Sequence, residues 1–220
     1  MNRATRFYRS SVGKKVVMAV TGVIGIGFLI VHVTGNLLIF RGPDAINSYS
    51  HFLHSLGELL WLARIVLIVS VILHVIAAYQ LMMQNRAARP VGYARREPQV
   101  STFAARTMRW GGALLLLFIV LHILHFTTGT IRPAGSFIEG DVFANVVASF
   151  HLWWVVLFYV VAMIALGAHM YHGAWSSVRT VGVTQPVENP LKRRVAIILA
   201  LFLWIGFTAV PVAVFLGMIG

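Results

Sequence analysis

The segment VVMAVTGVIGIGFLIVHVTGNLLIF, residues 16–40, decides which class of fold this chain can form. It holds 25 consecutive residues, and His32 is the only ionisable one among them. A helix needs about 20 apolar residues to cross the hydrocarbon core of a bilayer. A secretory signal has an apolar core of only about 7–15 residues and then a small-residue cleavage site, whereas this run ends at Arg41. The segment is therefore predicted to be a retained transmembrane helix.

Four further apolar runs have a similar length, at residues 59–83, 110–128, 150–175 and 195–219. The composition agrees, because 59% of the residues are hydrophobic and the mean hydropathy is +0.82. The net charge of +12 falls in short stretches between the apolar runs, which is typical of membrane proteins rather than of nucleic-acid-binding proteins. We predict an all-α, multi-pass protein of the cell membrane, a single domain over 1–220 with five transmembrane helices.

The basic residues are concentrated in alternate connections. All but three of the 18 Lys and Arg residues lie before the first span, in 86–109 or in 179–194, and the three others are Arg41, Arg64 and Arg132. The positive-inside rule then predicts a cytoplasmic N-terminus and an external C-terminus. On the outer side, 43–57 and 141–150 show helical spacing, and Asp141 is a candidate helix cap, so each segment is either a short surface helix or an amphipathic loop.

Histidines occur inside the apolar runs on four different helices. Five of the nine lie deep in a run: His32, His74, His122, His125 and His169. An ionisable residue at membrane depth is costly, although any single one can be a neutral imidazole bonded to a neighbouring helix. Histidines from four helices favour a cofactor in the bundle, since imidazole is an axial ligand of haem iron. The absence of cysteine excludes c-type haem attachment and a cysteine-ligated iron–sulfur cluster within this chain.

Depth along the helices sorts four of these histidines into two pairs. His32 and His122 lie nine and ten residues from the predicted outer ends of their spans, whereas His74 and His169 lie 16 and 18 residues from theirs. With a rise of 1.5 Å per residue, these depths are about 15 Å and about 25 Å. We therefore predict an outer pair, His32 with His122, and an inner pair, His74 with His169.

Two further histidines follow these by three residues, on the same helical faces: His125 and His172. Spacing alone leaves open which member of each set is the ligand. The other member would hydrogen-bond either a haem propionate or a neighbouring helix. The glycines 22, 25 and 27 before His32 indicate close helix packing or room for a flat macrocycle. The fifth span, with Pro211 and no histidine, is expected to pack outside the other four.

Several motifs carry a resemblance to a known family. They are VHVTGNLLIFRG (31–42), NSYSHFLHSL (47–56), LHVIAAYQL (73–81), LHILHF (121–126) and GAHMYHGAWSSVRTVG (167–182). In this order they resemble the cytochrome b membrane anchors of succinate dehydrogenases and fumarate reductases, of the type with one five-helix chain and two haems. The resemblance implies two haem b groups with axial ligands at His32, His74, His122 and His169. The chain departs from some members at Gly167, where they have an acidic residue linked to proton movement, so a proton path through this position is not expected.

The resemblance also implies a function. The chain would anchor a flavoprotein subunit and an iron–sulfur subunit, and it would pass electrons between the cluster and a quinone, menaquinone or ubiquinone. It would thus be a non-catalytic electron-transfer subunit in the respiratory chain and the tricarboxylic acid cycle. The basic connections 86–109 and 179–194 would dock the soluble subunits or bind anionic lipid headgroups. The alternatives are the di-haem anchor of a formate dehydrogenase or hydrogenase, or a histidine-relay transporter.

A quinone site needs a lipid-accessible cleft with a few polar groups. Five polar residues lie near the outer ends of the first two spans: Arg41, Asn47, Ser48, His51 and Glu58. Arg64 would extend outward to join them. We therefore predict an outer quinone site here, with a rival inner site near Trp175 and Ser176.

Overall fold

The computed structural model describes residues 2–88, 103–180 and 190–220. The regular elements in these ranges are helices: α1 (Arg3–Arg9), α2 (Ser11–Asn36), α3 (Pro43–Ser55), α4 (Glu58–Ala87), α5 (Phe103–His122), α6 (Val142–Phe150), α7 (Trp153–Thr180) and α8 (Pro190–Phe215). A 3₁₀ turn, Leu37–Arg41, extends α2, and a π-helical turn, Ile123–Thr127, extends α5. Five of these helices, α2, α4, α5, α7 and α8, are long and apolar enough to cross a membrane. The predicted all-α, five-span, multi-pass membrane protein is therefore confirmed.

The helix ends differ by a few residues from the predicted spans. The first span begins at Ser11 because the Ser10 side chain caps it by accepting a hydrogen bond from the Gly13 amide. The last ends at Phe215 rather than 219, because Gly217 adopts a positive φ of 71° and its amide bonds back to the Val214 carbonyl.

Two short helices connect the spans at one end of the bundle. Residues 43–55 form α3 and residues 142–150 form α6, so both segments are helices and not loops. Asp141 caps α6 as its position suggested, since its carboxylate accepts a hydrogen bond from the Ala144 amide at 3.0 Å. Asn47 joins the two helices, because its side chain donates to Asp141 at 2.9 Å and accepts from the Phe143 amide at 3.1 Å.

The spans pack in the spatial order α4, α2, α7, α5, with α8 against both α7 and α2. The contact between α8 and α2 is close, because a methyl group added at Gly206 would lie 2.6 Å from Val33 Cγ2. The fifth span therefore lies beside the row of four as predicted, but it also reaches the helix that carries His32.

Candidate metal centres on four helices

The four interior histidines lie in two pairs. The rings of His32 and His122 have centroids 5.9 Å apart, and those of His74 and His169 are 6.2 Å apart. Two imidazoles that bind one iron from opposite faces have ring centres about 6 Å apart, because each iron–nitrogen bond is about 2 Å and each ring centre lies about 1 Å beyond its nitrogen. Both spacings therefore fit a haem iron between the rings. The role of these residues as ligands stays a prediction.

Each pair joins two helices that have a third helix between them. His74 on α4 faces His169 on α7 although α2 packs between these helices, and His32 on α2 faces His122 on α5 although α7 packs between them. Because the paired helices are not close-packed neighbours, their side chains meet across the interior of the bundle. This is the arrangement in which a bundle accommodates a cofactor between facing helices.

Aromatic rings surround the outer pair. Phe28 stacks on His32 with centroids 5.1 Å apart and an interplanar angle of 14°. Phe118 stacks on His122 at 5.4 Å and 24°. Phe207 of α8 lies 5.6 Å from the His32 ring, so the fifth span contributes one wall of this centre.

His125 is bonded to protein through both ring nitrogens. Its Nδ1 lies 3.0 Å from the Tyr159 hydroxyl and its Nε2 lies 2.8 Å from the Ser149 hydroxyl, and its side chain is only 6% exposed. The π-helical turn holds it there, with the Thr128 amide donating to the carbonyl five residues earlier, that of Ile123. Of the two roles open for the second histidine, bonding to neighbouring helices is the one that the structure shows for His125.

His122 shares the same tyrosine. Its Nδ1 lies 3.3 Å from the Tyr159 hydroxyl. Its Nε2 is the nitrogen left to coordinate a metal, which is the usual division of the two nitrogens in a ligating histidine. Tyr159 therefore contacts His122 and His125 at once.

In the inner pair, a threonine from the neighbouring helix holds His74. The Thr21 hydroxyl lies 3.1 Å from His74 Nδ1 and donates its own proton to the Val17 carbonyl at 2.7 Å. With its proton used in this way the hydroxyl accepts from Nδ1–H, and the Met18 backbone also bonds this imidazole, which leaves the lone pair of His74 on Nε2. Gly22 lies beside the same ring, since an added methyl group would be 3.6 Å from His74 Cε1.

The partner of His74 is less constrained. His169 Nδ1 is buried, and the described residues offer it no hydrogen-bond partner. Two residues earlier, a methyl group at Gly167 would lie 3.3 Å from Trp204 Cβ, so a longer side chain would have to displace this tryptophan. The limited space beside Gly167 thus agrees with the absence of a longer, acidic side chain at this position.

The residues predicted for an outer quinone site are partly used elsewhere. Asn47 bonds to Asp141 and the Phe143 amide, which is a structural role not foreseen from the sequence. Four others remain exposed around α3 and the start of α4: Arg41, Ser48, His51 and Glu58. Arg64 extends toward this end as expected, with its guanidinium 5.0 Å from the Trp61 ring centre. A quinone site here stays a prediction.

The rival site, near Trp175 and Ser176, lies at the opposite end of the bundle. Trp175 and Ser176 are half-buried near the end of α7. Most of the two basic connections, residues 89–102 and 181–189, lies outside the described residues.

Sequence reasoning missed three hydroxyl groups that hold histidines: Tyr159, Thr21 and Ser149. Tyr159 and Thr21 lie within predicted spans, and a hydroxyl at membrane depth needs a partner. That signal was present in the sequence. The sequence did not show which residue on another helix each hydroxyl would bond.

Comparison with known proteins agrees with the sequence motifs. The chain is 27% identical over 191 residues to the succinate dehydrogenase cytochrome b558 subunit of Bacillus subtilis (strain 168), covering 86% of this chain and 88% of the relative. No family model matches the chain, and no match to a solved structure was found. The predicted resemblance to cytochrome b subunits of succinate dehydrogenases is confirmed by this similarity.

Proposed function

We propose that this protein is the di-haem cytochrome b membrane subunit of a succinate:quinone oxidoreductase. The observation that carries the proposal is the presence of two histidine pairs on four spans, each at a spacing that fits one iron. The similarity to a succinate dehydrogenase subunit supports succinate over formate or hydrogen as the source of electrons.

Four residues of the chain would hold the two haem b groups. His32 and His122 would bind one iron, and His74 and His169 the other. Haem iron supplies one-electron redox chemistry, which links a two-electron dehydrogenase to a quinone in single steps. The chain contributes the position of each imidazole: Tyr159 and Thr21 orient one ring of each pair, and a phenylalanine stacks on each ring of the outer pair.

The rest of the complex follows from this role. A flavoprotein subunit and an iron–sulfur subunit would dock at the cytoplasmic ends of the spans, where the basic connections lie. Quinone would react at the outer end, near Arg41, Ser48, His51 and Glu58. No cysteine is present in the chain, so the cluster that feeds it must belong to a partner.

The test is to purify the native complex and determine its haem by the pyridine haemochrome assay against protein mass. We expect two b haems per chain, both six-coordinate and low-spin, together with co-purified flavin and iron–sulfur subunits. Reduction of the haem by succinate would identify the dehydrogenase.

A matched variant controls for incidental effects on assembly. His54→Ala should keep both haems, since His54 is exposed and its ring bonds the Ser50 carbonyl of its own helix. A ratio near zero or one haem per chain in the unaltered protein contradicts the proposal. Co-purification with formate dehydrogenase or hydrogenase subunits would reassign the complex.

A further inference from the structure

A continuous chain of hydrogen bonds leads away from the outer pair. It runs from His122 Nδ1 to the Tyr159 hydroxyl at 3.3 Å, from there to His125 Nδ1 at 3.0 Å, and from His125 Nε2 to the Ser149 hydroxyl at 2.8 Å. Four side chains from α5, α6 and α7 take part. Tyr159 and His125 are 7% and 6% exposed, so bulk water does not replace these bonds.

The direction of each bond follows from the number of protons. Tyr159 has one hydroxyl proton, so it donates to one imidazole and accepts from the other. A histidine that binds iron through Nε2 keeps its proton on Nδ1, so His122 is the donor and Tyr159 the acceptor. Tyr159 must then donate to His125 Nδ1. His125 therefore carries its proton on Nε2 and donates it to Ser149.

We propose that Tyr159 and His125 are positioning residues that fix the tautomer and orientation of His122 as a ligand of the outer haem. This inference rests on the proposed function. Tyr159 orients the His122 ring by accepting a hydrogen bond from its Nδ1–H. His125 supports this arrangement by accepting the hydrogen bond that the Tyr159 hydroxyl donates. His125 thus acts on the metal centre without touching the metal.

Removal of His125 should reverse the direction of the hydrogen bond between Tyr159 and His122. Without its acceptor, the Tyr159 proton would turn toward His122 Nδ1 and favour the tautomer protonated at Nε2, which cannot bind iron there. Glutamine at position 125 can replace both bonds, because its carbonyl accepts and its amide donates. Leucine has a similar volume and can do neither.

The chain of hydrogen bonds also reaches the two connecting helices. Ser149 lies near the end of α6, whose N-terminal cap Asp141 is bonded to Asn47 of α3. The outer pair is therefore attached to both short helices, whereas Thr21, which bonds His74, donates to a carbonyl of its own helix.

The experiment compares three pairs of variants in the native complex, with the two haem midpoint potentials and the ferric low-spin signals in electron paramagnetic resonance as readouts. Tyr159→Phe removes the acceptor for His122 Nδ1–H. The imidazole then donates less electron density to iron, so the midpoint potential of the outer haem should rise. The inner haem should not change. Tyr171→Phe is the matched control, since the Tyr171 hydroxyl bonds Arg193 instead of a paired histidine.

The second pair is His125→Leu and His125→Gln, and the third is Ser149→Ala and Ser149→Thr. His125→Leu should lower the outer haem content of the assembled complex, and His125→Gln should restore it. Ser149→Ala should shift the outer signal less than Tyr159→Phe does, and Ser149→Thr should leave it in place.

Two results overturn the inference while leaving the proposed function intact: an unchanged outer potential and signal in Tyr159→Phe, or equal haem contents in the Leu and Gln variants at position 125. A complex that contains no haem at all overturns the proposed function instead.

Discussion

The two histidine pairs have nearly equal spacing but different surroundings. The outer pair is enclosed by stacked rings, Phe28 on His32 and Phe118 on His122, and it is connected by hydrogen bonds to α6. The inner pair has Gly22 beside His74, and this ring bonds to the Thr21 hydroxyl and the Met18 backbone of α2. Two histidine pairs of similar spacing are thus supported by packing and a polar network at one depth, and by one neighbouring helix at the other. The two centres should therefore respond differently to changes in the chain.

The terms outer and inner depend on the orientation of the chain, and labelling tests that directly. Because the chain has no cysteine, Thr5→Cys in α1 and Ser55→Cys at the end of α3 each introduce one thiol at an exposed position. The positive-inside rule predicts that an impermeant reagent added outside intact cells labels position 55 and not position 5. The opposite pattern would exchange the two names and place the quinone site on the other side.

Ligand substitutions test the pairing itself. Alanine at His32 or at His122 should remove the same spectral component, and alanine at His74 or at His169 should remove the other, so each assembled variant should fall from two haems to one. Each variant also leaves a cavity and an unpaired imidazole, so the measurement is made on the fraction that assembles. If His32→Ala and His74→Ala lose the same component, the pairs are wrong.

Thr21 tests whether one hydroxyl supports the inner pair. Thr21→Val removes the hydroxyl that accepts from His74 Nδ1–H, and loss of such an outer-shell partner typically costs about 10–100-fold in metal affinity. We expect the inner haem to be lost first when the complex is titrated with a haem-binding apoprotein. Thr21→Ser keeps the hydroxyl and should behave as the unaltered protein. Preferential loss of the outer haem would contradict the assignment.

Gly206 tests how far the outer pair depends on α8. Gly206→Ala places a methyl group 2.6 Å from Val33 Cγ2, next to His32 in sequence, and such overpacking typically costs about 1–3 kcal/mol. Thermal release of haem should therefore begin at a lower temperature and affect the outer component. Gly111→Ala in α5 is the control, because its added methyl group meets nothing within 4 Å and it lies eleven residues before His122. Equal behaviour of the two variants would show that α8 can shift without disturbing His32.

The smallest expected effect concerns Asp141, at the far end of the network. The Ala144 amide and then the Asn47 side chain stabilise its carboxylate and hold its pKa below the ordinary value of 3.8. A carboxyl with a lowered folded pKa stabilises its contacts above the unfolded pKa, and this contribution is lost as the pH falls through the folded value. Hydrogen exchange at the Ala144 amide, relative to unaltered amides of α6, should therefore rise below about pH 4. Asp141→Asn should remove this pH dependence.

The sequence predicted the spans, and it offered a helix as one of two interpretations of each connecting segment, because both depend on local pattern. Run length alone defines the spans, and an Asp cap followed by apolar residues at helical spacing defines α6. The proximity of His32 to His122 could be anticipated from depth, since the rise per residue is fixed.

What the sequence could not predict depends on the rotation and packing of helices that are distant in the chain. Tyr159 serves two histidines because a π-helical turn re-aims His125, and Asn47 bonds to α6 instead of facing a quinone. Likewise, Phe207 reaches His32 because Gly206 permits close approach of α8. The hydropathy pattern determines neither the rotation of the helices nor their order in space.

The position of each pair along the chain has a consequence for synthesis. The outer pair uses the first and third spans, whereas the inner pair uses the second and fourth. A growing chain therefore contains both outer histidines once residue 122 has been made, and both inner histidines only at residue 169. At about 5–20 residues per second, the roughly 47 residues between these points take about 2–10 s. During this interval the ribosome-bound intermediate has a single complete histidine pair, so the order in which the two pairs become complete is set by their positions in the gene.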